Sequence, residues 1–392
     1  MSISAAWAEI DQGTCMLRSN SEDLIRTVIA RFVDQEVVPV AEEHDRKGEF
    51  PFELFQKLGS MGVFGIRYPK AIGGSGGNTT LYCIIVEELA RGLVSLAGTT
   101  AMQCLMGTDG LYRYGSQDMH DTYLKPALKG EKIGAFQLTE PEAGSDLGNV
   151  RTTAVQDENG FVINGMKTWS TSGPIADFHT VLCQTDPDKG LKGLMFFFVP
   201  SDIPGFSHSK RFDTLGTRTT LLSEIYFNDC RVPFEYRLGQ EGKGLKVLLS
   251  ILAEIRVMTA ALALGLLRAA MDASLRYAKE RIQFGKPIGK NQLIQSKIAQ
   301  MAVDLEASRL MVYNTTRMID NNESCLHQAT MTKYFVTEAA CRATDQATRI
   351  FGGYGYSMEY PVQRYYRDSR FLLYGGGVHE VLQTNIAKHY GL

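Results

Sequence analysis

The sequence predicts a mainly helical α+β protein in which a helical domain, a β domain and a second helical domain follow one another. Apolar residues recur at spacings of three and four over residues 21–128 and again after residue 239, the period of amphipathic helices. Between them, residues 134–238 contain short β-branched and aromatic runs separated by turn signals. Helices and strands do not alternate, so a doubly wound parallel sheet is not expected. We predict domains at residues 1–130, 131–238 and 239–392.

The first domain is predicted from two helical segments and the loop that joins them. Residues 22–45 and 81–107 carry apolar side chains at helical spacing. The intervening segment FGIRYPKAIGGSGGN, residues 64–78, is rich in glycine and proline and is expected to be a loop. The domain is therefore expected to be all-helical.

The second domain is predicted from turn dipeptides and strand-length apolar runs. Asn159-Gly160 and Asn164-Gly165 flank the apolar segment FVI, and LMFFFVP at residues 194–200 is continuously apolar. Short runs of this kind between turn residues are typical of strands.

The third domain is predicted from three long helical segments, at residues 245–282, 292–319 and 329–351, whose length is typical of helix bundles. The apolar stretch 247–267 approaches the length of a membrane span. Glu254 and Arg256 lie in its middle, where charge is costly in lipid. We therefore expect a buried helix and no membrane association.

Charge and cysteine usage exclude several classes of protein. The chain has 41 basic and 43 acidic residues and a formal net charge of -2, without the cationic excess that nucleic-acid binding requires. Its seven cysteines are dispersed and form no C-x-x-C pair, which disfavours both a disulfide framework and a zinc site. Residues 1–13 lack the basic and apolar regions of a signal peptide. We expect a cytoplasmic protein that does not bind nucleic acid.

Four motifs offer polar groups or exposed backbone to a ligand. They are QLTEPEAGSDLGNV at 137–150, KTWSTSG at 167–173, FGGYGY at 351–356 and the glycines before the final helix in YGGGVHE at 374–380. Hydroxyls, glycine backbone and a helix N-terminus suit a polar ring or a phosphate. By composition alone, an ordinary turn, strand edge or helix cap explains each motif equally well.

Known nucleotide and metal motifs are absent from the sequence. It contains neither a Walker A motif nor G-x-G-x-x-G after a strand, and His379-Glu380 does not continue into H-E-x-x-H. No metal site is expected.

Taken together and in order, these segments resemble the acyl-CoA dehydrogenase family of flavoproteins over nearly the whole chain, from about Ser21 to Lys388. The matching pieces are IRYPKAIGG, TEPEAGSD, INGMKTWSTSG, RVPFEYRLGQEGKG, RIQFGKPIG with the glutamine behind it, and IFGGYGYSMEYPVQRYYRDSR. Several independent motifs in the correct order make the resemblance specific.

The resemblance implies a helical domain, a β domain and a C-terminal four-helix domain, assembled as a homotetramer with one FAD per subunit. Members oxidise the α,β bond of an acyl thioester: a carboxylate removes the α proton and the β hydride passes to the flavin. The thioester carrier is CoA or an acyl carrier protein, and an electron-transfer flavoprotein reoxidises the flavin.

Functional residues are carried over from the family position by position. The resemblance assigns Ser145, Arg256 and Gly376 to the substrate. Arg349 stands where a glutamine is common, which alters that contact. The positions matched to FAD contacts, some of them with the cofactor of a neighbouring subunit, are Leu138, Thr139, Trp169, Thr171, Arg281, Phe284, Gln292, Arg349, Gly352, Gly353, Gly377 and His379.

The catalytic base is the main departure from the family pattern. Most members have a glutamate after the segment RDSRFLLY, and this chain has Gly375 there. A second group of relatives carries the base on the helix immediately before the position of Arg256, which is Ile255 here. Glu254 lies one residue further back and is the candidate base, with an ion-pair partner of Arg256 as its structural alternative. Glu380 is disfavoured because a helix N-terminus stabilises the ionised carboxylate.

Three hypotheses for function remain open from the sequence. The first is an FAD-dependent acyl thioester dehydrogenase with an atypical base. The second is a related enzyme that needs no α-proton base, such as a desulfinase or decarboxylase, or an enoyl-CoA reductase running in the opposite direction. The third is a flavin-retaining binding protein without turnover.

Overall fold

A computed structural model describes residues 20–392, so the expectation about residues 1–13 lies outside the described residues. The N-terminal helical region begins with α1 (Asn20–Phe32), a π-helical segment Val33–Val37 and α2 (Val38–Lys47). It continues with α3 (Phe52–Ser60), α4 (Thr79–Gly92), α5 (Val94–Ala101), a π-helical segment Met102–Met106, α6 (Asp109–Tyr114), α7 (Gln117–Met119), a π-helical segment His120–Leu124 and α8 (Lys125–Leu128).

The segment expected as one helix over residues 81–107 is divided at Leu93. Its φ of -150° and ψ of 106° are extended rather than helical. The break follows Gly92, where an added Cβ would lie 2.8 Å from the Val33 side chain. Two helices therefore approach each other at a glycine, and the chain redirects immediately afterwards. At the other end of α4, the Asn78 side chain accepts a hydrogen bond from the Leu81 N–H at 2.9 Å and caps the helix.

The central region is an eight-stranded sheet. Its strands are β1 (Gly134–Gln137), β2 (Thr153–Gln156), β3 (Phe161–Ser170), β4 (Phe178–Gln184), β5 (Leu194–Pro200), β6 (Phe206–His208), β7 (Ser223–Val232) and β8 (Arg237–Leu238). The strand order is β6-β7-β3-β2-β4-β5-β8, and β1 pairs in parallel with β4.

Both faces of the central strands are covered. All seven residues of β5 are buried, and alternate side chains enter two different cores: Phe196 and Phe198 face the helices, whereas Phe197 and Val199 face a smaller core between strands. This alternation follows from the period of two along a strand. It explains why LMFFFVP is continuously apolar.

The C-terminal region consists of long helices. They are α9 (Gly244–Glu280), α10 (Gln292–Asp320), α11 (Leu326–Phe351), α12 (Pro361–Ser369) and α13 (His379–His389), with a short hairpin of β9 (Ile282–Gln283) and β10 (Lys286–Pro287) between α9 and α10. Helix α9 packs against α4, α10 and α11. By length and composition it could cross a membrane, but 78% of its most apolar window is buried inside the molecule.

The predicted order of a helical region, a sheet and a helical region is confirmed. The domain boundaries at 130 and 238 stay a prediction. The six cysteines within residues 20–392 are free and buried.

Candidate functional site

The loop after β1 is held in place by a buried ion pair. The Lys167 ammonium donates to the Leu138 carbonyl at 3.0 Å and to Glu140 Oε1 at 2.7 Å. Glu140 also accepts hydrogen bonds from the backbone N–H groups of Arg151 and Thr152. Burial acts to raise the pKa of Glu140, but Lys167 and these donors outweigh it and lower the pKa. A fully paired carboxylate therefore fixes the path of the loop at Leu138 and Thr139.

The end of β3 presents an indole ring beside this loop. Trp169 has a φ of 59° and 59% of its surface is exposed, at an irregularity in the pairing of β3 with β7. The preceding Thr168 N–H donates to the Thr139 carbonyl at 2.9 Å. Leu138 and Thr139 therefore lie beside the end of β3, which carries Trp169 and is followed directly by Thr171. An exposed indole next to polar backbone offers a face for a planar ring.

A second group of predicted cofactor residues lies at the ends of α9 and α11. The Arg281 guanidinium lies 5.5 Å from the centroid of the Tyr354 ring, which brings the β9–β10 hairpin to the turn after α11. In that turn, an added Cβ at Gly352 or Gly353 would meet no atom within 4 Å, so the backbone there is open to a ligand. Phe284 is 96% exposed with a φ of 51°. No hydrogen bond, ion pair or ring contact joins this group to the Trp169 group within residues 20–392.

The other predicted positions in this group, and Ser145, are exposed or contact only residues close to them in the chain. Gln292 is exposed at the first residue of α10. The Arg349 Nε donates to Asp345 one helical turn away, at 2.7 Å. Ser145 is exposed in the loop after β1.

The loop before α13, Gly375–Gly377, packs against the middle of α9. An added Cβ at Gly376 would lie 3.0 Å from Thr259 Oγ1 and 3.7 Å from Ile255 Cγ2. Gly376 and Gly377 have φ values of 71° and 112°, which favour glycine. At Gly375 the φ is not positive, and an added Cβ would meet only the Phe371 region, at 3.4 Å and beyond. An added Cβ at Gly375 therefore lies at ordinary van der Waals distance, and the backbone conformation does not require glycine there.

A buried lysine holds the loop from the other side. Lys333 on α11 is fully buried, and its ammonium donates to the carbonyl groups of Gly377 at 2.8 Å and Leu373 at 3.3 Å. Burial, followed by the nearby positive charge of Arg256, lowers the pKa of Lys333 to about 7. The loop conformation is thus tied to α11 by hydrogen bonds to its backbone.

His379, predicted to contact FAD, is engaged within the protein at both ring nitrogens. Nε2 lies 2.8 Å from Thr337 Oγ1, and Nδ1 lies 2.9 Å from Glu338 Oε1. Burial lowers the pKa of His379, and Lys333 lowers it further. These contacts attach the start of α13 to α11.

Glu254 and Arg256 do not form the ion pair expected as the structural alternative, so that prediction is wrong. The Glu254 carboxylate instead accepts a hydrogen bond from Arg67, whose guanidinium also lies 3.9 Å from Asp109. Successive residues of a helix point about 100° apart, so Glu254 and Arg256 face different neighbours. Burial raises the pKa of Glu254, and Arg67 opposes that shift. Glu254 faces Arg67 in the N-terminal helical region of the chain, whereas Ile255 faces the Gly375–Gly377 loop.

Arg256 has no acidic partner within residues 20–392. Its surface is 6% exposed, its Nη1 donates to Thr330 Oγ1 at 2.6 Å, and its Nε has no hydrogen-bond partner. Burial lowers its pKa. An isolated buried guanidinium of this kind is costly unless an anion joins it.

Sequence reasoning missed three charged residues that shape the site: Lys167, Lys333 and Arg67. The signal for Lys333 was present, since it shares a helical face with Ala329, Val336 and Ala340, all of them buried. A lysine on an otherwise apolar face predicts a buried cation with a specific partner. No cluster of three or more potential metal ligands occurs in the described part of the chain.

Models of one known family match nearly the whole chain. Models described as acyl-CoA dehydrogenase N-terminal, middle and C-terminal domains match residues 19–131, 135–230 and 242–391.

Similar proteins span nearly the whole chain. A benzylmalonyl-CoA dehydrogenase of Aromatoleum aromaticum is 45% identical over 94% of this chain and 98% of its own length. A 3-(aryl)acrylate reductase of Clostridium sporogenes is 39% identical over 95% and 99%. The caffeyl-CoA reductase-Etf complex subunit CarC of Acetobacterium woodii is 37% identical over 95% and 98%.

Solved structures show the same fold. Butyryl-CoA dehydrogenase from Megasphaera elsdenii superposes with a TM-score of 0.92 at 34% identity, covering 96% of this chain and 99% of the other. PigA with FAD and proline superposes with a TM-score of 0.92 at 29% identity, covering 96% and 99%.

Proposed function

The chain belongs to the acyl-CoA dehydrogenase family, an FAD-dependent family of CH–CH oxidoreductases, and on that premise we propose that it oxidises the α,β bond of a 3-arylpropanoyl thioester without a glutamate in the loop before its last helix. The observation that carries this proposal is Gly375. The position where the resemblance expects the base is a glycine, although an added Cβ there would come no closer than 3.4 Å to Phe371. Activation of the α carbon must therefore differ from the commoner arrangement.

The aryl part of the proposal is supported by the names of the relatives. Benzylmalonyl, 3-arylacrylate and caffeyl groups all place an aromatic ring on the β carbon of a three-carbon acyl chain. These relatives include one named as a dehydrogenase and two named as reductases. We propose the oxidative direction because the relative named as a dehydrogenase is the most similar of the three, at 45% identity.

The residues of this chain fit FAD at two places. The exposed Trp169 indole, with the backbone of Leu138 and Thr139 beside it, supports a planar ring, and the open glycines Gly352 and Gly353 allow close approach of a diphosphate. FAD held at these places would supply the acceptor for the hydride that leaves the β carbon of the substrate. Lys167 and Glu140 keep the loop at Leu138 in one conformation, which positions its backbone for the cofactor.

The alternative, in which Glu254 removes the α proton, requires its carboxylate to leave Arg67. The buried ion pair and the direction of Glu254 away from the loop both favour a structural role. An electron-transfer flavoprotein is proposed as the electron acceptor, supported by the Etf complex in the name of one relative. A homotetramer and a cytoplasmic location also remain proposals.

The test uses the FAD-loaded protein under anaerobic conditions. We expect 3-phenylacryloyl-CoA, the product class, to bind and perturb the flavin absorption spectrum at concentrations where butenoyl-CoA does not. A panel of acyl thioesters is then screened for flavin bleaching. Absence of both spectral perturbation and bleaching with every thioester would refute the proposed function.

A further inference from the structure

We infer that the substrate carries a carboxylate on its α carbon, that Arg256 binds this carboxylate, and that its loss as CO2 replaces removal of the α proton. The inference rests on the proposed function and names the substrate class of the same site, a 2-carboxyacyl thioester. Its premise is a mismatch of charge: a buried cation lies beside a loop from which the expected carboxylate is missing.

The state of Arg256 differs from that of other arginines in the interior. Arg67 pairs with Glu254, and Arg268 pairs with Glu88 at 2.6 Å. Arg256 is only 6% exposed, yet within residues 20–392 it forms no ion pair, and its Nε is without a partner. Within the described residues its guanidinium donates only to the neutral Thr330 hydroxyl. Since a buried charge needs compensation, a ligand anion supplies what the chain does not.

Contacts on α11 connect Arg256 to the glycine loop. Thr330, which accepts from Arg256, lies three residues before Lys333 and therefore on the same helical face. Lys333 in turn donates to the carbonyl groups of the loop. On α9, the neighbour of Arg256, Ile255, lies against the position of Gly376. The guanidinium and the loop thus belong to one region between α9 and α11.

The charges around this region favour an anion. Arg256 and Lys333 are close enough that Arg256 lowers the pKa of the lysine. The nearby acids are engaged or face elsewhere: Glu254 pairs with Arg67, and Glu338 lies 2.9 Å from His379 Nδ1. Glu380 is exposed at the start of α13. Within residues 20–392, no carboxylate forms an ion pair with Arg256.

The absence of a side chain at Gly375 leaves room for the carboxylate of the substrate. A glutamate there would bring its own carboxylate into the region and would repel a carboxylated substrate. With glycine that side chain is absent, and the nearest atoms to the position of an added Cβ belong to Phe371, at 3.4 Å for the ring and 3.7 Å for the carbonyl oxygen. The same substitution therefore removes the proton-abstracting group and admits a substrate that does not need one.

The chemistry balances without a base. Cleavage of the bond between the α carbon and the carboxylate releases CO2 and leaves its electron pair on the α carbon, conjugated with the thioester carbonyl. That pair forms the α,β double bond as the β C–H bond breaks and its hydride passes to FAD. One 2-carboxyacyl thioester and one FAD thus give one enoyl thioester, one CO2 and one two-electron-reduced flavin, with no proton taken up or released. The benzylmalonyl group in the name of the relative at 45% identity belongs to this class of acyl group.

The test compares benzylmalonyl-CoA with 3-phenylpropanoyl-CoA, which differs only in lacking the α carboxylate. The FAD-loaded protein is mixed anaerobically with each thioester, and flavin bleaching is followed by rapid mixing. With ¹³C in the free carboxylate, we expect equal amounts of ¹³CO2, reduced flavin and 3-phenylacryloyl-CoA. Bleaching by 3-phenylpropanoyl-CoA should be at least about 10²-fold slower, because no group is placed to remove its α proton.

Variants separate recognition from folding. Arg256→Gln should weaken benzylmalonyl-CoA binding by about 10²-fold while the affinity for 3-phenylacryloyl-CoA, which has no carboxylate, stays the same. Arg256→Lys should restore part of the loss because the charge is kept. Arg231→Gln is the matched control, since Arg231 forms an exposed ion pair with Asp157 on the sheet. If Arg256→Gln does not fold, the comparison of the two thioesters and the lysine variant still decide.

Three results would overturn the inference, and the first two would leave the proposed function intact. One is equal or faster bleaching by 3-phenylpropanoyl-CoA, with a kinetic isotope effect from deuterium at its α carbon. Another is an equal loss of affinity for both CoA ligands in Arg256→Gln, which would indicate a general structural role. Release of ¹³CO2 without flavin reduction would also contradict it, because the carbanion would then be protonated instead of oxidised.

Discussion

Glu254 and Arg256 show how two charged residues on one helix can have separate roles. They are two positions apart, about 200° around the helix, so one faces Arg67 in the N-terminal region and the other faces Thr330 on α11. The first is a closed ion pair. The second is a buried guanidinium without an acidic partner in the described residues. Only the second lies beside the loop that has lost its glutamate.

We predict that Glu254→Gln leaves the chemistry nearly intact and lowers stability. The change removes the charge that compensates buried Arg67, and breaking such a pair costs about 3 kcal/mol. Urea unfolding measures that loss, and rapid mixing with benzylmalonyl-CoA measures the bleaching rate. A rate that falls by about 10²-fold with unchanged stability would instead identify Glu254 as the base.

The lowered pKa of Lys333 should make the free energy of unfolding depend on pH. Its pKa in the folded protein is lowered to about 7, so between that value and its ordinary value of 10.5 the unfolded chain binds more protons than the folded chain. Stability therefore rises with pH across this window, by at most about 1.4 kcal/mol per pH unit from this one group. Lys333→Met should remove that part of the slope. Urea unfolding of both proteins at fixed concentration from pH 7 to pH 10 tests this, and parallel curves would contradict it.

At the scale of elements, the loop between the last two helices combines two kinds of glycine. Gly376 and Gly377 both have positive φ values, whereas Gly375 does not. An added Cβ would lie 3.0 Å from Thr259 on α9 at Gly376 and 3.3 Å from Leu382 on α13 at Gly377. The loop is held at its backbone by Lys333 and at the start of α13 by His379. Its shape is thus independent of the side chain at position 375.

Substitutions at the two glycines should have opposite consequences. Gly376→Ala places a Cβ 3.0 Å from Thr259 Oγ1 at a φ of 71° and should cost about 1–2 kcal/mol, measured by urea unfolding. Gly375→Ala should be nearly neutral. Gly375→Glu should rebuild a proton acceptor, so that 3-phenylpropanoyl-CoA bleaches the flavin about 10²-fold faster than in the native protein while benzylmalonyl-CoA binds less tightly. Unchanged preference between the two thioesters would count against the assigned role of this position.

For the whole molecule, the exposed apolar residues of the C-terminal helices point to assembly. Phe284 is 96% exposed and Leu293 is 80% exposed, and Val303 and Leu310 on α10 are also more than half exposed. Large exposed apolar side chains such as these contribute stability when a partner surface covers them. The resemblance assigns Phe284 to the cofactor of a neighbouring subunit, which would link assembly to FAD binding.

We predict that the protein is a homotetramer and that Phe284→Ala lowers its FAD content without unfolding the subunit. Light scattering gives the number of chains, and absorption of the released flavin gives the content. Because Phe284 makes little contact within its own chain, circular dichroism of the variant should match that of the native protein. A monomer with full FAD content would contradict the prediction.

The sequence by itself determined the order of helices and strands, the burial of the apolar run 194–200 and the family, because periodicity and ordered motifs are local properties of the chain. It also exposed the missing glutamate at Gly375. Only the tertiary structure decided that α4 ends at Gly92 against Val33, that Lys333 holds the glycine loop and that Glu254 pairs with Arg67. Arg67 and Glu254 are 187 residues apart, and Arg256 and Thr330 are 74 apart. Helical spacing states which side of α9 each charge occupies, but the partner on that side is set by how distant helices pack.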